Sequence, residues 1–121
     1  MDSFAVLRKT IFCDIDGTIF RHQEDLYANI TTVPVLLPGV VSHFSEWHLK
    51  DYCIILTTSR PEGCRLTTEA QLRHHGVFYH QLIMGLPYGP RLLINNQNSD
   101  DPVMAHSISL DRNKGLKGVE F

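Results

Sequence analysis

Short apolar runs, each stopped by charged residues or by Gly and Pro, recur along this chain. Runs of that length with abrupt ends suggest buried strands reaching the rim of a sheet. The first strand is read over Lys9 to Ile15. Ile19 to Leu37 shows no clear helical period and reads as a loop or small β-flap. Val40, Val41, Phe44 and Trp47 follow helical spacing, which predicts a helix from Gly39 to Lys50. Tyr52 to Thr57 is a second strand, its continuous apolar run fitting a parallel sheet. Pro61 suits the first turn of another helix, with Glu62 favourable to its dipole and Gly76 as its stop. Leu66 and Ala70 are expected to face inward on that helix, with Leu72 as a candidate third. Val77 to Tyr79 reads as extended, and Gln81 to Met84 as a short strand. Gly85 to Pro90 is a turn and Arg91 to Ile94 a further strand. Asn95 to Pro102 reads as a polar loop, and the alternation over Met104 to Leu110 as an edge strand. The tail Arg112 to Phe121 is polar, either with a short helix or ordered only by contacts. Strands alternating with helices predict an α/β fold with a mainly parallel sheet. In such sheets ligands bind outside the carboxyl ends of the strands.

The chemistry concentrates where the first strand stops, in Ile11-Phe12-Cys13-Asp14-Ile15-Asp16-Gly17-Thr18. Residues two apart in an extended segment point the same way, so Asp14 and Asp16 are expected to emerge together. Gly17 lets the chain turn sharply behind them. Two adjacent carboxylates repel unless a cation or a shared proton intervenes, and a hard divalent metal with oxygen ligands is one stable answer. The same residues also suit a strand-terminal Asx turn with solvated acids.

Composition narrows the classes. The chain has 121 residues, and a single domain over 1–121 is expected. A net charge of −2 provides no basic footprint, so nucleic-acid binding is not favoured. No apolar run is long enough to span a membrane, and Met1-Asp2-Ser3 lacks a signal-peptide charge pattern, so a cytoplasmic location is expected. Cys13, Cys53 and Cys64 lack CxxC spacing, which argues against a disulfide framework or structural zinc. The seven histidines lack ligand spacing as well.

The string DxDGT after an apolar strand resembles the first motif of the haloacid dehalogenase-like (HAD) phosphohydrolase superfamily. Ile54-Ile55-Leu56-Thr57-Thr58-Ser59-Arg60-Pro61 resembles its second motif, with Thr58 as the matching residue and Thr57 if the register slips by one. The Thr58 hydroxyl is then expected on a phosphoryl oxygen, or else at the cap of the following helix. Two later motifs depart from the family pattern. Leu86 stands where a lysine is usual, and Arg91 is either its substitute or a surface residue. The fourth strand runs into Asn95-Asn96 in place of acids. Asn96, or Asn95 in the other register, is the expected metal ligand there. Asp100 and Asp101 either supply charge or form a solvated turn.

The resemblance covers about residues 9 to 111 and implies a three-layer, Rossmann-like HAD fold with a minimal flap in place of a cap domain. It implies a Mg²⁺-dependent phosphomonoester hydrolase acting on a phosphorylated sugar or similar small metabolite. By this match Asp14 is the nucleophile and Asp16 the general acid and base. Thr58, Arg91 and Thr18 hold phosphate, and Asp14, Asp16 and Asn96 hold Mg²⁺. Amides of the loop from Ile15 to Thr18 are further candidate phosphate donors. A flap this short is compatible with a homo-oligomer in which a neighbouring subunit acts as the lid. Leu86 and the Asn pair also support a different expectation, a catalytically weakened domain that binds a phosphorylated ligand or a partner protein.

Overall fold

The computed structural model describes residues 7–121. Met1-Asp2-Ser3, the stretch examined above for a signal peptide, lies outside the described residues. Three strands form a parallel sheet in the order β1-β2-β3: Thr10–Asp14, Cys53–Thr57 and Gln81–Ile83. The ladder pairs Asp14 with Thr57, and Thr57 in turn with Ile83, so all three strands finish on one rim. Alternation along the strands places Ile11, Cys13, Ile54, Leu56 and Leu82 on one face, where all but the half-buried Ile11 are buried. The other face carries Phe12, Ile55 and Ile83. Phe12 remains 53 % exposed.

The buried face packs against helices. Helix α2, Val40–Leu49, buries Val40, Phe44 and Trp47, spaced to lie on one stripe. Helix α3, Arg65–His74, follows a 3₁₀ turn at Glu62–Cys64 introduced by Pro61. Its inward face differs from the expectation. Leu66 is 83 % exposed and Ala70 is exposed, while Thr68, Gln71 and Leu72 are buried. The cause is electrostatic, because the buried Arg60 requires polar partners from α3. The segment between β1 and α2 also differs, since it contains a short helix, α1, at Leu26–Thr31. Asp25 caps it by accepting from the Ala28 N–H at 2.7 Å. Six residues are too few to show a period. Bridges from Phe20 to Asp16 and to Leu36 give the segment the flap character expected for it.

Arg91 to Ile94 and Met104 to Leu110 are not strands. Both stretches are largely exposed, and among the described residues no strand pairs with the second edge of β1. Local side-chain bonds hold the loops around these stretches. The Arg91 guanidinium donates to the carbonyls of Pro87 and Gly89. Gln97 Nε2 donates to the Pro102 carbonyl at 2.6 Å, and Asn95 Nδ2 to that of Met104 at 3.2 Å.

The tail is ordered by contacts and has no helix. Leu116 is buried and its N–H donates to the Pro38 carbonyl at 2.8 Å. Gly115 lies at φ 78°, and a Cβ there would collide with the Pro38 carbonyl oxygen. Gly115→Ala is therefore expected to destabilise the protein by more than about 1 kcal/mol, measured by urea titration. Unchanged stability would show that the tail is not tied to the α2 N-terminus in this way.

Burial pushes the Cys13 thiol from its ordinary 9.0 up to about 12, and the neighbouring Asp14 charge adds to the rise. The folded state thus favours the neutral thiol. Its stabilising contribution is complete below pH 9.0 and is lost as pH climbs toward 12. Cys13 is expected to resist iodoacetamide at pH 8 until the chain is unfolded, as read by peptide mass mapping. Labelling at the rate of a free thiol under native conditions would contradict this burial.

Candidate active site

Asp14 ends β1 at the rim, exposed, and opposite the half-buried Thr57 of β2. The chain then turns inward. Ile15 is buried, and its carbonyl accepts from the N–H groups of Thr18, Ile19 and Phe20. Gly17, at φ 90°, donates to the Phe20 carbonyl. The N–H groups of Gly17 and Thr18 are thus spent inside the turn, and so are not free donors for a phosphate.

The two aspartates do not share one environment. Asp16 lies past the end of the strand, and its side chain is 15 % exposed. It meets Arg60, whose side chain is 2 % exposed, in a forked pair. Arg60 Nε donates to Oδ2 and Nη2 to Oδ1, each at 2.8 Å. Two parallel charge-assisted bonds fix both position and orientation. The remaining terminal nitrogen, Nη1, donates to Thr68 Oγ1 at 3.0 Å and Gln71 Oε1 at 2.7 Å.

Asp14 has no such partner. Burial raises its pKa above the ordinary value, and the charge of Asp16 adds to this. The Ile15 N–H, the Thr18 hydroxyl and the Arg91 charge pull it back. Solvent reaches the rim and screens these effects. Thr18 Oγ1 donates to Asp14 Oδ2 at a long 3.4 Å. The result is an accessible carboxylate, open to a cation or an electrophile, beside a second carboxylate already neutralised by Arg60.

The other expected residues are placed as follows. Thr58 is 1 % exposed. Its Oγ1 accepts from the Arg60 N–H at 3.1 Å, and its backbone bonds to Ile83 and Leu86. The hydroxyl therefore shapes the turn that presents Arg60. Thr57 is the more accessible hydroxyl-bearing residue next to Asp14. Leu86 is held at the rim by its N–H to the Thr58 carbonyl at 3.1 Å. Arg91 is close enough for its charge to act on Asp14, although its described bonds are to Pro87 and Gly89. Asn96 lies exposed in the long loop, its N–H on Asn95 Oδ1. Asp100 and Asp101 form a turn on Asn98. Among the described residues no three His, Cys, Asp or Glu side chains gather as a metal cluster.

Arg60, Thr68 and Gln71 were not singled out from the sequence. A signal for Arg60 was available. Once β1 and β2 pair with Asp14 opposite Thr57, the residues just past each strand end, Asp16 and Arg60, come within reach.

No protein-family model and no curated protein matches the chain. Several solved structures do. Two structures of the Pnkp1/Rnl/Hen1 complex, one described as an RNA repair complex, contain a similar chain. Identities are 26 % and 28 %, TM-scores 0.57 and 0.56, and 64 % and 69 % of this chain is covered. This chain spans only 28 % of the length of those chains. A structural-genomics target from Vibrio cholerae is similar at 20 % identity and TM-score 0.51, covering 66 % of this chain and 72 % of that one. A D,D-heptose 1,7-bisphosphate phosphatase from B. bronchiseptica, complexed with magnesium and phosphate, has 20 % identity and TM-score 0.47. It covers 68 % of this chain and 51 % of that one. The parallel β1-β2-β3 sheet with its crossover helices is an α/β fold of the Rossmann-like kind. No helix among the described residues is long and apolar enough to cross a membrane.

Proposed function

We propose that the chain is a phosphomonoester hydrolase in which Asp14 is the nucleophile. The observation that carries this reading is the contrast between the two aspartates. Asp14 is accessible and among the described residues has no cationic hydrogen-bond partner, whereas Asp16 is held by Arg60. Asp14 is thus the carboxylate open to an electrophile, and Asp16 is the one held back from competing with it.

Asp14 attacks phosphorus, forming an O–P bond as the ester O–P bond breaks. Asp16 gives a proton to the departing alkoxide and then takes one from the water that cleaves the aspartyl-phosphate. In the arrangement described both Asp16 oxygens face Arg60, so proton transfer requires Asp16 to turn from that fork toward the rim. Three groups are proposed for the phosphoryl oxygens: Thr18, whose hydroxyl bonds Asp14; Thr57, paired with it across the ladder; and Arg91, whose charge acts on it. Thr58 acts through the turn it stabilises.

Mg²⁺ is the cation proposed for oxygen donors at this rim. Burial and the Asp16 charge raise the pKa of Asp14, and a bound cation would offset that. Asp14, the Asp16 backbone carbonyl and Asn96 would hold it, all through oxygen. When bound, the ion offsets charge between carboxylate and phosphate.

A small phosphorylated metabolite is the substrate class proposed. The test is phosphate release from a panel of phosphomonoesters with and without Mg²⁺. A phosphorylated oligoribonucleotide belongs in the panel because of the likeness to chains of an RNA repair complex. Metal-dependent turnover on a small ester supports the proposal. Turnover on the oligonucleotide alone would reassign the substrate class. One observation favours a second reading, a weakened domain that binds phosphorylated ligands: among the described residues no three His, Cys, Asp or Glu side chains gather around Asp14 as a metal cluster. Ligand binding without turnover would select it.

A further inference from the structure

We propose that Gln71 is a positioning residue that ties the flap helix α1 to Asp16 through Arg60. Its catalytic consequence rests on the phosphatase reading, while the physical coupling does not.

The link is continuous. Arg60 grips Asp16 with Nε and Nη2, and its Nη1 is held by Gln71 Oε1 and Thr68 Oγ1. A guanidinium is planar and rigid, so fixing Nη1 fixes the angle of the fork offered to Asp16. Gln71 is 8 % exposed, and its Nε2 donates to the Asn29 carbonyl at 2.8 Å. The amide orientation follows from chemistry. Arginine only donates and a carbonyl only accepts, so the reverse orientation would set donor against donor and acceptor against acceptor.

The flap end of the link is otherwise weakly held. Helix α1 buries no residue of its own. Asn29 lies in its last turns, where carbonyls lack a partner four residues on. The Gln71 amide supplies one. An open groove of about 370 Å³ beside this bond, lined by Ile30, Val33, Thr67, Ala70 and His74 among others, separates the flap from α3. The described hydrogen bond from α3 to α1 itself is that of Gln71 to Asn29, while Phe20, earlier in the flap, meets His75 at the α3 C-cap edge to face. Displacing α1 pulls on the Gln71 amide, turns Arg60, and changes the hold on Asp16. Gln71 transmits position and carries no proton itself.

The test uses Gln71→Met, which keeps side-chain length and removes both hydrogen bonds. Two substrates separate positioning of the acid from general loosening. A p-nitrophenolate leaves without needing a proton, whereas the alkoxide of glycerol phosphate needs one. The variant is expected to lower kcat/KM on glycerol phosphate, which reports the step up to departure of the alcohol, by about tenfold or more. On p-nitrophenyl phosphate kcat/KM should stay within about twofold of wild type, while kcat, which includes Asp16 acting on water, is free to fall on both. Equal losses of kcat/KM on both substrates, or none on either, would overturn the proposal.

A second measurement does not depend on turnover. Asp16→Asn is expected to speed amide hydrogen exchange across residues 26–31, and that effect should vanish in a Gln71→Met background. An effect of the same size with and without Gln71 would overturn the coupling. Wild-type protein that hydrolyses neither ester would count against the phosphatase reading alone, and the exchange result would then decide the coupling.

Discussion

Asp14→Asn is expected to cut phosphate release by at least about a thousandfold, since the neighbouring carboxylate, Asp16, is held by Arg60. The loss should appear in kcat, with the fold unharmed. Asp14 is exposed, and its side-chain bond to Thr18 is long at 3.4 Å. Burial and the Asp16 charge raise its pKa, which means the folded chain is slightly strained by keeping it ionised. A neutral amide of the same shape removes that strain. The melting temperature should therefore hold or rise a little. A variant that retains wild-type turnover would remove Asp14 from the mechanism. One that unfolds would show that the rim depends on its charge for stability.

Arg60→Met should have the opposite profile, with stability suffering first. The substitution leaves the Asp16 carboxylate, whose side chain is only 15 % exposed, without its cation. It also strips the donors from Thr68 Oγ1 and Gln71 Oε1. Removing one partner of a buried, hydrogen-bonded pair costs about 3–5 kcal/mol. For a chain of this size that lowers the melting temperature by about 10–20 °C. Adding Asp16→Asn should recover part of the loss, because the orphaned charge goes with it. Circular dichroism melts of the three proteins decide this. A single variant that melts with wild type would mean the fork contributes little to the folded state.

The contrast between these variants marks how far the chain could be read from its residues. Strands β1 and β2 and helix α2 are legible because each buries a run or stripe long enough to show its period, as Val40, Phe44 and Trp47 do. Asp14 is legible because the apolar run stops at it. Helix α1 is not, since it is six residues long and buries none of them. The inward face of α3 is misjudged for a related reason. Apolar Leu66 looked like core, but the buried Arg60 draws Thr68 and Gln71 inward. Charge satisfaction outweighs the apolar pattern there, and periodicity carries no record of it. Arg91 to Ile94 reads as a strand from its apolar content. The stretch stays exposed and, among the described residues, joins no sheet edge, which its apolar content alone does not reveal. The expectation that Asp14 and Asp16 emerge together assumed that the strand continued. It ends at Asp14, and Asp16 turns to Arg60 instead.

The central claim is that Asp14 forms a bond to phosphorus during turnover. Its most direct test is acid quenching of the protein during hydrolysis of its best panel substrate, followed by peptide mapping for an acyl-phosphate. The account predicts a phosphoryl group on Asp14 that appears and decays with turnover and is missing in Asp14→Asn. Turnover with the phosphoryl group on another residue, or with none on the protein at all, would contradict it.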